Sequence, residues 1–482
     1  MSKETTVSSQ QPATLRRNAI GLSGVLFQSI TTMAPAGAVA FSLGAAIPYA
    51  GGALPLAVLI ALVVCVLIAL SIGSLAKHLP SAGGYLTYVS HGLGVQAGWM
   101  TGWLYGLTYI LVLPLVITVQ GDVTDSFLNS TFHLSLGPYG WAIWGAVWVL
   151  IIFALTYSGI KISADAGIIT GALEIIIFLI LSTWLIVTSG SGNTLAALSP
   201  VSSLEHGLGG WVGILHGMVF AFLAFAGFES CAPLAEETSN PRRNVGRAIV
   251  LSTCIVGVFF AFCSYAGVVG WGFGKITSYP NNSNPWGVMA QRVWGPFAFV
   301  AILAVLNSGL GNGNAGVNAA SRMLYAMART RTIPGGLARI NRFETPGIAI
   351  IVNSVLGIIL GVGLGLIYGP LTAFAFDGTL LTILLLIVYV ATCISVPFYY
   401  RREHPEEFSI IRHVLVPVIP SIVLLVVIYF QFVPAPNYPL NLAGPIVAAW
   451  FVLGLIVVAI LSRSAPAALA KSGEIFIDAE EA

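Results

Sequence analysis

AFLAFAGFES, residues 221–230, is the stretch on which the fold turns. It lies inside an apolar run from Trp211 to Leu234. About 20 residues at 1.5 Å each cross a ~30 Å hydrocarbon core, so the run reads as a membrane helix. Its middle nevertheless carries Gly227, a poor helix former, and Glu229, an acid at a depth where charge costs roughly 2.5–3.5 kcal/mol. A plain anchor needs neither. A helix interrupted to bind something uses both.

The rest of the chain supplies the setting. Of 482 residues, 57% are hydrophobic and 8% are charged, far below the ~25% charged of a soluble domain. A water-exposed surface cannot be built from this composition, so the chain is a polytopic membrane protein. Continuous apolar runs, rather than alternation with period two, exclude a β-barrel. Twelve helical spans follow from the apolar windows: 20–47, 53–76, 95–120, 139–158, 165–188, 211–235, 246–272, 294–328, 347–367, 371–400, 414–433 and 440–462. The five cysteines all fall in these runs and form no CxxC pair, which argues against a disulfide framework and against a zinc site.

Lys and Arg orient the spans. The N-terminal stretch and every second loop after it hold eighteen of the 20 basic residues, and only Lys275 and Arg292 fall opposite. By the positive-inside rule both termini are cytoplasmic, in the cell membrane. No cleavable signal is read ahead of the first span.

Span one contains a second weak point. In TTMAPAGAVAF, residues 31–41, Pro35 removes a backbone donor and Gly37 lowers helix propensity. Both breaks come about a dozen residues into their helices, ~18 Å along, a little past the midplane. Interrupted segments at matching positions of two halves point to a transporter built from an inverted repeat. The expected architecture is all-α: repeats at 19–190 and 208–402, two added helices at 411–463, and tails at 1–18 and 464–482.

Four stretches resemble the amino acid–polyamine–organocation permeases. They are LPSAGGYLTYVSHGLG (79–94), FAGFESCAPLAEETSNPRRNVGRAI (225–249), NAASRMLYAMARTRTIP (318–334) and YVATCISVPFYYRR (389–402). The resemblance implies the leucine-transporter-like fold, with helices 1 and 6 interrupted, and transport of a small molecule. It departs at span one, where many relatives have a G-x-G-I-F-type break and this chain has Pro35-Ala36-Gly37-Ala38-Val39. It departs again at Glu174, a place held by lysine in some relatives.

Unwound helices leave backbone N–H and C=O groups that must find partners inside the membrane. N–H groups around Pro35, Ala36, Gly37 and Ala38 suit a carboxylate, and C=O groups around Phe225, Ala226, Gly227 and Phe228 suit an ammonium. The family's substrate contacts fall on the same two breaks. Glu229 and Glu174 are candidates for coupling to a proton, and Glu174 alternatively for holding a cation; either acid also fits a structural hydrogen bond. Phe222, Tyr105, Asn307 and Asn314 are candidates for the cavity wall or a gate, with packing as the other reading. The leading expectation is a secondary active transporter of an amino acid, coupled to H+ or Na+ or working by exchange. An organic amine transporter and a non-transporting sensor are the alternatives. Catalytic residues, a cofactor, a metal and nucleic acid are not expected; the partners are the substrate and the lipid bilayer.

Overall fold

The computed structural model describes residues 15–474 except 283, 434 and 435. Lys3 and most of the expected tails therefore lie outside the described residues. Eleven helical stretches among the described residues are long and apolar enough to cross a membrane. Backbone polar groups cannot be left bare in hydrocarbon, and helices satisfy them locally. Among the described residues the β pairing is a single isolated bridge, Ile20 with Thr238.

The first apolar stretch, Leu22–His78, has 57 residues, about 85 Å if it were one straight helix. It is not one. Helix α1 (Leu22–Thr32) stops before Ala34, which adopts a left-handed conformation with φ 47°. A short turn, α2 (Pro35–Gly37), leads into a π-helical turn at Ala38–Ser42 and then α3 (Leu43–Ala50). Gly51–Ala53 turn the chain into α4 (Leu54–His78). The sequence reading divides the same stretch at 47–53.

After a loop come α5 (Tyr85–Leu93), α6 (Val95–Ile110) and α7 (Val112–Phe132), the last two joined almost end to end. Helices α8 (Gly140–Tyr157) and α9 (Ile160–Ser189) complete the first half. In the second half α10 (Trp211–Phe225) stops in the middle of the predicted sixth span. It is followed by turns and a 3₁₀ segment at Ala232–Glu237, then α11 (Pro241–Trp271) and a short α12 (Pro285–Trp294). Helices α13 (Phe299–Arg329), α14 (Gly347–Tyr368) and α15 (Pro370–Glu403) follow. Then come α16 (Val416–Phe430), α17 (Ala443–Ser464) and the short α18 (Pro466–Lys471).

Packing divides these helices into an inner and an outer set. Helix α4 runs against α11, where Gly73 meets Gly246: a Cβ on Gly246 would lie 2.9 Å from the Gly73 carbonyl oxygen. Small residues permit this approach of two backbones, as expected of membrane helices that gain little from burying apolar area in lipid. Helices α8, α9, α14, α16 and α17 turn large apolar side chains outward, among them Leu150, Ile169, Ile359, Ile422 and Ile460. That belt faces lipid. Helices α1, α7, α10, α13 and α15, together with the inner side of α9, surround the two breaks.

Candidate functional site

At the first break, the end of α1 is tied down by its own side chains and by α13. Thr32 Oγ1 donates to the Gln28 carbonyl at 2.6 Å, and the Asn312 amide donates to the Thr32 carbonyl. Beyond the left-handed Ala34, the N–H of Ala36 donates to Glu174 Oε2 of α9 at 3.1 Å. The N–H of Gly37 donates to Ser308 Oγ of α13 at 3.0 Å, and that of Ala38 turns back to the Ala34 carbonyl at 2.7 Å. The donors expected to await a ligand's carboxylate are thus all engaged by the protein. The reason is geometric: α9 and α13 pass close enough to place a carboxylate and a hydroxyl on them.

At the second break, Ala226 leaves helical geometry with ψ 122°, and Gly227 takes φ +112°. A side chain at 227 would be strained in that conformation and would lie 2.4 Å from Thr32 Cγ2. The two breaks meet here, and Thr32 Oγ1 and Ser230 Oγ share a 2.7 Å hydrogen bond beside the contact.

Between the breaks lies a cavity of about 80 Å³, room for several water molecules. Gly37 and Ala38 line it from one break, and Ala226 and Gly227 from the other. Its acceptors are conspicuous. The carbonyls of Met33 and Ala226 receive no hydrogen bond from the described residues. Gln120 of α7 donates through Nε2 to the Leu306 carbonyl while its buried Oε1 has no partner there. Such a wall favours a ligand that brings N–H donors. A larger cavity of about 490 Å³ adjoins it, and Phe41 and Val305 form part of both walls.

The remaining sequence candidates surround this cavity at various distances. Glu229 is fully buried behind it, accepting from Tyr109 at 2.8 Å and from Tyr389 of α15 at 2.7 Å. Tyr105 packs next to Tyr109, with ring centroids 4.6 Å apart, and does not line the cavity. Pro35, Ala36, Phe222, Phe225 and Phe228 are buried around the breaks without lining it. Phe228 packs at a tilt on Tyr389 and Phe225 meets Phe260 edge-on, each pair with ring centroids 5.3 Å apart. Asn307 is outside the lining. Asn314 points away, exchanging hydrogen bonds with Ser163 of α9 at 2.7 and 3.2 Å.

Sequence reasoning missed Gln120, Ser308, Asn312 and Tyr389 as parts of the site. It also missed Asp377 of α15, 1% exposed, with neither carboxylate oxygen paired among the described residues. Asp377 was detectable: it is a lone acid in an apolar run, the same signal that singled out Glu229.

Fold and site together define a multi-pass, all-helical integral membrane protein with two interrupted helices closing on one cavity. Comparison with known proteins narrows the class. The model of the amino acid permease family matches residues 24–464, and the chain belongs to that family. It is 24% identical to the branched-chain amino acid permease BcaP of Lactococcus lactis subsp. cremoris, over 80% of this chain and 81% of that protein. The amino-acid permease AapA of Bacillus subtilis is 24% identical over 91% of this chain and 95% of its own length. The low-affinity putrescine importer PlaP of Escherichia coli is 25% identical over 67% and 72% respectively.

Proposed function

We propose that the chain is a secondary active transporter that carries an amino acid across the membrane by alternating access. The observation that carries this reading is a cavity lined by residues of both helix breaks. Read as two crossings separated at Gly51–Ala53, the stretch Leu22–His78 brings the spans to twelve. Five-helix inverted repeats at 19–190 and 208–402, with the helices at 411–463 appended and both termini cytoplasmic, fit that count and the basic-residue pattern. The substrate's ammonium sits on the Met33 and Ala226 carbonyls and Gln120 Oε1. Its carboxylate takes the Gly37 N–H once Ser308 turns aside. Glu229 or Glu174 exchanges the coupling proton.

A second reading, an organic amine transporter, is favoured by one specific observation: the cavity offers unpaired acceptors while the N–H groups of the first break are engaged. The putrescine importer among the relatives supports it. Uptake of labelled neutral amino acids and of putrescine into proteoliposomes, with imposed pH or sodium gradients, tests both. Accumulation of a neutral amino acid is expected. Accumulation of putrescine alone transfers the assignment to amines, and binding without accumulation by either would overturn transport.

A further inference from the structure

We propose that the basic face carries a binding site for a divalent transition metal of the zinc type, formed by His78, His404 and Glu407. The sequence reading expects no metal, on the ground that the cysteines form no CxxC pair; His404 and Glu407 are three positions apart, but His78 lies more than 300 positions before them. The fold brings them together. His78 ends α4, His404 caps α15, and Glu407 follows in the link to α16. One ligand atom from each lies within 4.8 Å of the others.

The local chemistry fits a cation in three respects. The C-termini of two long helices converge here, and each carries a partial negative charge of about half a unit. The place already attracts a cation, since Lys77 Nζ lies 2.7 Å from Glu407 Oε2. His404 is oriented as a metal ligand would be: its Nδ1 is 3.2 Å from Glu406 Oε1. A carboxylate only accepts, so Nδ1 carries a proton, and in the neutral ring Nε2 keeps the lone pair that a metal would take.

For both imidazoles to share one ion the stacked rings have to turn apart, because an imidazole binds a metal in its own ring plane. His78 Nε2 is 3.2 Å from Glu407 Oε2, and the His78 and His404 rings stack at 4.0 Å. Tetrahedral zinc with bonds of ~2.0–2.2 Å holds its ligand atoms about 3.3–3.5 Å apart. Glu407 and His404 are partly exposed and free to close the difference. On binding, Lys77 leaves Glu407, and His78 moves its proton from Nε2 to the other ring nitrogen. Two imidazoles and one carboxylate suit Zn2+ over Mg2+ or Ca2+ and leave a fourth position for water. The metal ties the end of α4 to the end of α15. This inference stands independently of the transport reading.

Isothermal titration of ZnCl2 into the full chain in lipid nanodiscs, free of any polyhistidine tag, tests the site. One Zn2+ per chain is expected. His78→Ala, His404→Ala and Glu407→Gln should each weaken binding by about tenfold or more, in line with loss of a metal ligand or its support. Lys77→Met should tighten it by removing the competing ammonium. Co2+ in place of Zn2+ should give the visible absorption of a four-coordinate site, lost in His404→Ala. Absence of saturable zinc binding, or binding unchanged in His404→Ala and Glu407→Gln, would overturn the proposal. A Lys77→Met chain that binds no tighter counts against Glu407 as the third ligand.

Discussion

Gly227 sits where the two breaks touch, and a left-handed backbone and the Thr32 side chain both exclude a Cβ there. Gly227→Ala should separate the two breaks at a cost of order 1–3 kcal/mol. We expect a lower thermal midpoint and at least tenfold slower uptake, read by a melting curve and a proteoliposome assay. Glu229 behaves differently because both its oxygens accept phenol protons. Glu229→Gln should fold and should lose the response of uptake to a pH gradient. Glu229→Leu leaves two buried phenols without an acceptor, at about 1–3 kcal/mol each, so it should melt well below Glu229→Gln. Asp377 is the converse case, a buried acid without a described partner. Burial of such a group is unfavourable, so Asp377→Leu should raise the melting temperature; a lower one would reveal a partner or a bound cation. The acids at 174 and 229 show how far one residue type is legible. An acid in an apolar run announces its cost in the sequence, but its partners come from helices more than a hundred positions away.

Helix α13 distributes polar groups to three destinations. Ser308 and Asn312 serve the first break, Asn314 and Asn318 hold Ser163 of α9, and Arg322 and Arg329 reach the segment after α10. Asn312→Ala should therefore weaken substrate binding with little loss of stability, since it releases the Thr32 carbonyl at the cavity. Asn318→Ala should do the reverse, lowering stability while substrate affinity stays within a few-fold. Titration and melting of the two variants side by side decide the point. The existence of this helix was legible from its apolar run, and part of its polar face from Asn307 and Asn314, seven residues apart. The cavity-facing asparagine is nevertheless Asn312, off that face. Periodicity finds a face; it does not say which neighbour the face meets. The breaks were easier to place, because Pro35, Gly37 and Gly227 act on the backbone through local chemistry, whereas the engagement of Ala36 and Gly37 N–H groups depends on distant side chains.

Across the whole molecule, three of the four stretches that carry the family resemblance converge on one lock. Arg322 donates to both oxygens of Glu237 at 2.8 and 3.1 Å, with both side chains fully buried. Arg329 grips Glu236, whose Oε1 also accepts the Ala82 N–H at 2.9 Å. Thus LPSAGGY, AEETSNP and NAASRMLYAMAR meet away from the cavity and hold three parts of the chain together. Removing one member strands the other charge, so Arg322→Met should destabilise the fold by about 3–5 kcal/mol. Loss of monodisperse protein on gel filtration at moderate temperature would register it. The same lock has a mechanical side. Ala19 and Ile20 donate to the Glu237 carbonyl at 2.8 and 3.2 Å, and Ser239 donates to the Ile20 carbonyl at 2.9 Å. These bonds clip the chain ahead of α1 onto the segment that carries the lock. A force applied to the N-terminus would load this clip before it reached α1, so the first rupture in a pulling experiment would report the strength of these backbone hydrogen bonds and not of the lock or of any membrane helix.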